Sequence, residues 1–201
     1  MNVAAPRVRK QILVLNGHPD ASRNHFGDAL VAAYVQGATS AGHDVDVLKI
    51  AELEFPLVTS KEAWESEQPC ADVLAAQLTL HRADHLLLVY PLWLGDMPAL
   101  LKGFLEQILR PGFAFGALDG RLPEKKLRGK SARIVVTMGM PAFFYRWFYG
   151  AHSLKSLRRN ILAFCGITPV RSTLIGRVES LGPEGRLKAL AAMERLGRLA
   201  Q

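Results

Sequence analysis

Apolar runs of strand length alternate along this chain with longer amphipathic stretches. Residues 11–16 (QILVLN) form a short apolar run and predict a buried first strand. Residues 24–41 carry Phe26, Leu30, Ala33 and Tyr34 at helical spacing, and Gly42 ends the stretch. Residues 44–50 (DVDVLKI) alternate with period two and predict a second strand. A helix is predicted over 71–81. A third strand follows over 84–90 (DHLLLVY), apolar enough to be buried on both faces. The next helix, 98–109, has Pro98 in its first turn, where the missing N–H has no helical partner to lose. Residues 131–138 (SARIVVTM) predict a fourth strand, 152–165 a helix, 170–176 a fifth strand and 183–199 a closing helix. No internal repeat or low-complexity segment interrupts this order. The alternation predicts one α/β domain over residues 1–201, with residues 1–9 as a flexible tail. Its sheet is open and parallel, with right-handed crossovers and helices on both faces. Such sheets bind ligands at the carboxyl ends of their strands, near the switch in strand order. The loops after strands one, three and four are therefore the ones to read for chemistry.

The loop after strand one runs from Asn16 through His18, Ser22 and Asn24. It is neither a GxGxxG turn nor a GxxxxGK[ST] loop. Backbone N–H groups at the following helix can hold a phosphate there, assisted by the Ser22 hydroxyl and the Asn24 amide. Plain helix capping by Ser22 or Asn24 accounts for the same residues. After strand three comes Pro91-Leu92-Trp93-Leu94-Gly95, where Trp93 reads either as a wall for a flat ring or as a lid on the core. After strand four comes Thr137-Met138-Gly139, followed by a segment in which six of the seven residues from Phe143 to Tyr149 are aromatic. Successive helical positions turn by about 100°, so these rings cannot all point inward. Some must face a ligand or a partner, and a second copy of the chain is the commonest cover for such a face.

Composition changes this picture little. Hydrophobic residues make up 49% and charged residues 21%, as in an ordinary globular domain. The longest apolar run, 86–94, is about half of the ~20 residues that a spanning helix needs, and the polar, basic start is followed by too short an apolar run for a signal peptide. A cytoplasmic protein is expected. Cys70 and Cys165 form no CxxC pair, and Cys165 reads as a buried thiol. His81 and His85 straddle the end of a helix and the start of a strand, so no metal site is expected. The net charge of +7 clusters at Arg121, Lys125, Lys126, Arg128, Lys130 and Arg133, and again at Lys155, Arg158 and Arg159. These residues read either as a solvated basic face or as an attractor for anions; no nucleic-acid signature accompanies them.

Three segments together resemble the NAD(P)H:quinone oxidoreductase family. They are Pro91-Leu92-Trp93, Pro98-Ala-Leu-Leu-Lys-Gly-Phe104 and Gly112-Phe-Ala-Phe115. His18-Pro19 with Ser22-x-Asn24, and Phe164-Cys165-Gly166, extend the resemblance over roughly residues 10 to 180. The resemblance implies a flavodoxin-like three-layer sandwich whose five parallel strands run in the order 2-1-3-4-5. It implies a flavin, FMN or FAD, with NADH or NADPH as electron donor and a quinone-like acceptor, in a ping-pong cycle. By the same resemblance, His18, Ser22 and Asn24 hold the phosphate end. Pro91, Leu92, Trp93 and Leu94 line the isoalloxazine, and Thr137, Met138 and Gly139 approach its pyrimidine edge. Tyr145 matches the family's active-site tyrosine, and His152 falls near its active-site histidine; both are expected to act on the acceptor. The family reads T-T-G-G where this chain has Thr137-Met-Gly-Met-Pro, so one glycine is lost and a proline added. The resemblance also implies a homodimer that builds the pocket from both subunits. A second reading of the same features is a flavin-binding, redox-sensing regulatory subunit of a membrane transport system.

Overall fold

The computed structural model describes residues 9–116 and 123–201. Five strands, β1 (Gln11–Asn16), β2 (Asp44–Lys49), β3 (His85–Pro91), β4 (Ser131–Thr137) and β5 (Val170–Ile175), form one parallel sheet in the order β2-β1-β3-β4-β5. This is the flavodoxin-like order, and the strands lie where the hydrophobic pattern predicts them. β1, β3 and β4 are buried almost throughout, whereas the edge strands β2 and β5 are partly exposed. A side chain alternates faces along a strand. Leu13 and Leu15 therefore enter one core layer with Leu86, Leu88, Ile134 and Val136, while Ile12 and Val14 enter the other with Leu87, Val89 and Val135.

Helices α1 (Phe26–Ser40) and α8 (Gly182–Arg198) cover the second layer. The first is covered by α3 (Ala71–Arg82), α4 (Ala99–Ile108) and a helical segment from His152 to Cys165. That last segment was expected as one α-helix. Instead α6 (His152–Ser156) passes into a π-helical stretch, Leu157–Leu162, before α7 (Ala163–Cys165). Two short helices, α2 (Lys61–Glu65) and α5 (Ala142–Trp147), escape a reading that relies on several turns of periodicity.

Residues 1–8 of the expected tail, and Arg121 of the basic stretch, lie outside the described residues. Arg9 is no part of a free tail: its guanidinium donates to Asp44 Oδ2 at 2.7 Å. The basic stretch is also not simply a solvated face. Lys125 donates to the carbonyl of Ala163 (2.9 Å), Lys126 to that of Gly112 (2.7 Å), and Lys130 to those of His81 and Ala83 (2.6 and 2.8 Å). These ammonium groups tie loops to helix ends. Cys165 is a buried thiol, pushed up to about 12 by that burial. Among the described residues no helix is long and apolar enough to cross a membrane, and no cluster of three metal-ligating side chains occurs.

The closest packing joins α1 to α8. A Cβ added at Gly37 would lie 1.9 Å from the carbonyl oxygen of Glu194, and one at Gly197 would lie 2.0 Å from that of Tyr34. Backbone meets backbone at this crossing, and neither side can yield by rotating a side chain. Gly37→Ala should therefore lower stability by about 1–3 kcal/mol or more, the cost of overpacking. Urea unfolding measures it, and an unchanged midpoint would contradict the packing.

Candidate functional site

At the carboxyl ends of β1, β3 and β4 the three loops meet around a cavity of about 520 Å³. This lies within the range of small-molecule pockets, about 300–1,000 Å³. His18, Pro91, Leu92, Trp93, Thr137, Met138 and Gly139 line it, all of them expected from the sequence. The loops are stitched together through their backbones. Gly17 N–H donates to Val89 (2.7 Å), Leu92 N–H to Thr137 (2.7 Å), Met138 N–H to Ile175 (2.9 Å) and Val178 N–H to Met138 (3.2 Å). Gly17 has no room for a side chain, since a Cβ would come 2.7 Å from Leu101 and 3.1 Å from Tyr90.

The first loop is ordered by carboxylates that the sequence reading passed over. Asp28, in the first turn of α1, accepts from the N–H of His25 (2.7 Å) and from the side-chain amide of Asn16 (2.7 Å). The cap is thus made by His25 and Asp28, which corrects the expectation of capping by Ser22 or Asn24. Asp20 collects the loop's free donors: Ser22 N–H at 2.8 Å, the Ser22 hydroxyl at 2.5 Å and His25 Nε2 at 3.0 Å, with Arg23 at 3.7 Å. His18 Nδ1 accepts from Asp20 N–H at 3.1 Å, and its ring stacks on His25 at 3.6 Å. Partial burial, with His25 beside it, lowers the His18 pKa and favours the neutral ring.

The second loop is a tight turn. Trp93 and Asp96 exchange backbone hydrogen bonds at 2.9 Å, with φ positive at Leu94 (47°) and Gly95 (82°), as a type I′ turn requires. A positive φ suits Gly95 and is uncommon for Leu94. The turn leaves Trp93 49% exposed, packed edge-on against His18 at 5.8 Å, and leaves Leu94 fully in solvent. Trp93 is therefore a wall of the cavity and not a lid on the core, while Leu94 lies outside the lining.

The other expected residues lie elsewhere. The Ser22 hydroxyl is engaged by Asp20, and Asn24 lines a small neighbouring cleft with His18, Asp20, Arg23 and Lys49. Tyr145 is 2% exposed; its hydroxyl pairs with Ser153 Oγ at 2.8 Å and accepts from Leu154 N–H at 3.3 Å. It is not among the residues that line the cavity. The six-residue α5 turns this one ring of the aromatic run inward. His152 is exposed and begins α6, and it is not among the cavity's lining residues. The remaining rings of the run, Phe143, Phe144, Trp147, Phe148 and Tyr149, are exposed, Trp147 at 81%.

The cavity also includes residues with no sequence signal. Asp20 and Arg23 lie within the first loop, His25, Phe26 and Gly27 follow it, and Val178 and Glu179 follow β5. The carboxylate of Glu179 packs on Gly139, where a Cβ would lie 3.0 Å from its oxygen. Reading one strand end further would have brought residues 178–179 into consideration.

Comparison with known proteins agrees with this geometry. A family model described as the flavodoxin-like fold matches residues 10–198. The chain is 28% identical to an uncharacterized NAD(P)H oxidoreductase of Haemophilus influenzae, over 87% of either chain. It is 24% identical to the NAD(P)H dehydrogenase (quinone) 1 of Rattus norvegicus, covering 91% of this chain and 74% of the relative. An FMN-dependent NADH-azoreductase from Bacillus anthracis, solved in complex with FMN, superposes with a TM-score of 0.74 at 18% identity, over 96% of this chain and all (100%) of that one.

The bonds from Ser22 hold the Asp20 carboxylate well below its ordinary range, at about 2. A depressed carboxylate keeps its contacts above its ordinary pKa and loses them as the pH falls through the lowered one. Ser22→Ala should raise the Asp20 midpoint from about 2 toward the ordinary 3.8, read by carboxyl-carbon NMR. An unmoved midpoint would show that the Ser22 hydroxyl does not order this loop.

Proposed function

The chain belongs to the flavodoxin-like fold family and is an oxidoreductase related to the NAD(P)H:quinone oxidoreductases; from that premise we propose that it holds one flavin nucleotide, FMN or FAD, in the cavity above β1, β3 and β4 and reduces quinone-like acceptors with NADH or NADPH. The observation that carries this reading is the convergence of His18, Trp93 and the 137–139 backbone on one ring-sized cavity.

The residues fit a flavin by their own chemistry. The first loop already holds an anion, the Asp20 carboxylate, with a backbone N–H, a hydroxyl and an imidazole. The same donor types, at the start of α1, suit a phosphate. Trp93, half exposed at the cavity edge, offers an aromatic face to a flat ring. When bound, the flavin supplies the redox chemistry, taking a hydride from the nicotinamide and passing two electrons to the acceptor.

The protein's part is binding, orientation and electrostatics. Backbone N–H groups near Gly139 can stabilise negative charge developing at the pyrimidine edge, and Glu179 beside them limits how much is stabilised. One shared cavity supports alternating occupation by nicotinamide and acceptor, a ping-pong order. Tyr145 acts as a positioning residue, tying α5 to α6 through Ser153.

The exposed rings of α5 and the segment after it support a homodimer. Phe144 and Phe148 stack at 4.7 Å, and Tyr149 meets both edge-on. A soluble monomer rarely leaves so large an apolar patch in water. Covering it with a second copy would leave His152, exposed beside it, available to an acceptor at the interface.

Steady-state reduction of a soluble quinone by NADH or NADPH tests the activity, with light scattering across a dilution series. Parallel double-reciprocal lines are expected, with specific activity falling as the dimer dissociates. No turnover with either nucleotide after flavin loading would overturn the acceptor assignment. A fully active monomer would overturn the dimer.

A further inference from the structure

A second cavity, of about 260 Å³, opens between α2, α4 and the π-helical stretch Leu157–Leu162, and it shares no lining residue with the cavity above β1, β3 and β4. Its walls are mostly apolar. Phe115 packs against Trp64 at 5.8 Å and against Phe164 at 5.0 Å, with Leu105, Ile161 and the buried Cys165 in the same lining. An apolar cavity of ~150 Å³ holds benzene, so this one has room for a fused bicyclic ring.

The charged groups around it leave an excess of positive charge. Lys102 and Glu106, in its lining, pair with each other and cancel. An adjoining cavity of about 480 Å³ shares Asn160 and Phe164 with the first and is also lined by Lys125 and Arg159. Neither of these cations belongs to an ion pair among the described residues. Lys125 gives one donor to the Ala163 carbonyl at 2.9 Å, and an ammonium has further donors to offer. Its charge is felt at the Cys165 thiol, which places it close to the first cavity as well.

The backbone is irregular at the same place. π-helical geometry is rare and recurs at functional sites. Here that stretch supplies Arg159, Asn160 and Ile161 to the two cavities. An apolar cleft with a few placed polar groups is the usual form of a small-molecule site. We propose that the joined cavities are a second ligand site, which takes a bicyclic aryl carboxylate: its rings lie against Trp64, Phe115 and Phe164, and its carboxylate meets Lys125 and Arg159. The aromatic walls favour a flat body over a flexible chain. Two cations without a carboxylate partner favour an anionic group over a neutral one. Most of the lining offers no hydrogen-bond donor, which disfavours a sugar or a nucleotide.

The chain's three tryptophans tell the candidate surfaces apart. Trp64 lines this groove, Trp93 lines the cavity above β1, β3 and β4, and Trp147 stands on the exposed aromatic run. Each indole N–H gives its own signal in a nitrogen–proton NMR spectrum. On titration with 2-naphthoate the Trp64 signal should move and saturate at one ligand per chain, with the Trp93 and Trp147 signals little changed. Arg159 is exposed, and Arg159→Gln should need about tenfold more ligand to reach the midpoint. The neutral amide, 2-naphthamide, should bind the parent protein about tenfold more weakly for the same reason. A Trp64 signal that stays in place, movement at Trp93 or Trp147 alone, an unchanged midpoint in Arg159→Gln, or equal binding of the amide would each overturn the proposal. So would a Trp64 signal that moves with protein concentration alone, which would give the groove to a second copy of the chain.

Discussion

Burial of β1, β3 and β4 on both faces governs what this chain can do and where. These strands have no solvent-facing side, so polar chemistry is confined to their ends, and the loops there must satisfy their backbone groups within the fold. They do so by bonding to one another: Leu92 to Thr137, Met138 to Ile175 and Val178 to Met138. The cavity is the space left between loops that are already tied together. Its walls are backbone as much as side chain, and such a site can accept a flat ligand with little rearrangement.

Much of this was legible because two periodicities dominate the sequence. Continuous apolar runs give the central strands, and the residues following them supply seven of the cavity's lining positions. What stayed hidden depends on distance in sequence. Asp20 and Asp28 look like ordinary loop and helix residues, and their importance comes from meeting Ser22, His25 and Asn16 in space. Glu179 comes to the site because the chain folds back after β5 onto the 138–140 backbone, a contact no local pattern announces. Tyr145 shows what a motif match leaves open. A motif match gave its position in the sequence, whereas the shortness of α5 determines that its ring turns inward to Ser153.

The charge of the chain is likewise better understood one residue at a time. Lys125, Lys126 and Lys130 serve loop closure through backbone carbonyls, and Arg133 lies inside the sheet. The basic stretch is therefore largely structural. The aromatic run divides in the same way, with one ring in the core and five exposed.

The central claim is that the cavity at the carboxyl ends of β1, β3 and β4 is a flavin site whose wall is Trp93. Its most direct test is titration of the cofactor-free protein with FMN and with FAD, following flavin absorbance and tryptophan fluorescence. One flavin should bind per chain, quenching the fluorescence, and Trp93→Ala should remove most of that quenching while weakening affinity. A protein that binds neither flavin, or one that binds flavin equally well with Trp93 replaced and its quenching intact, would contradict the account.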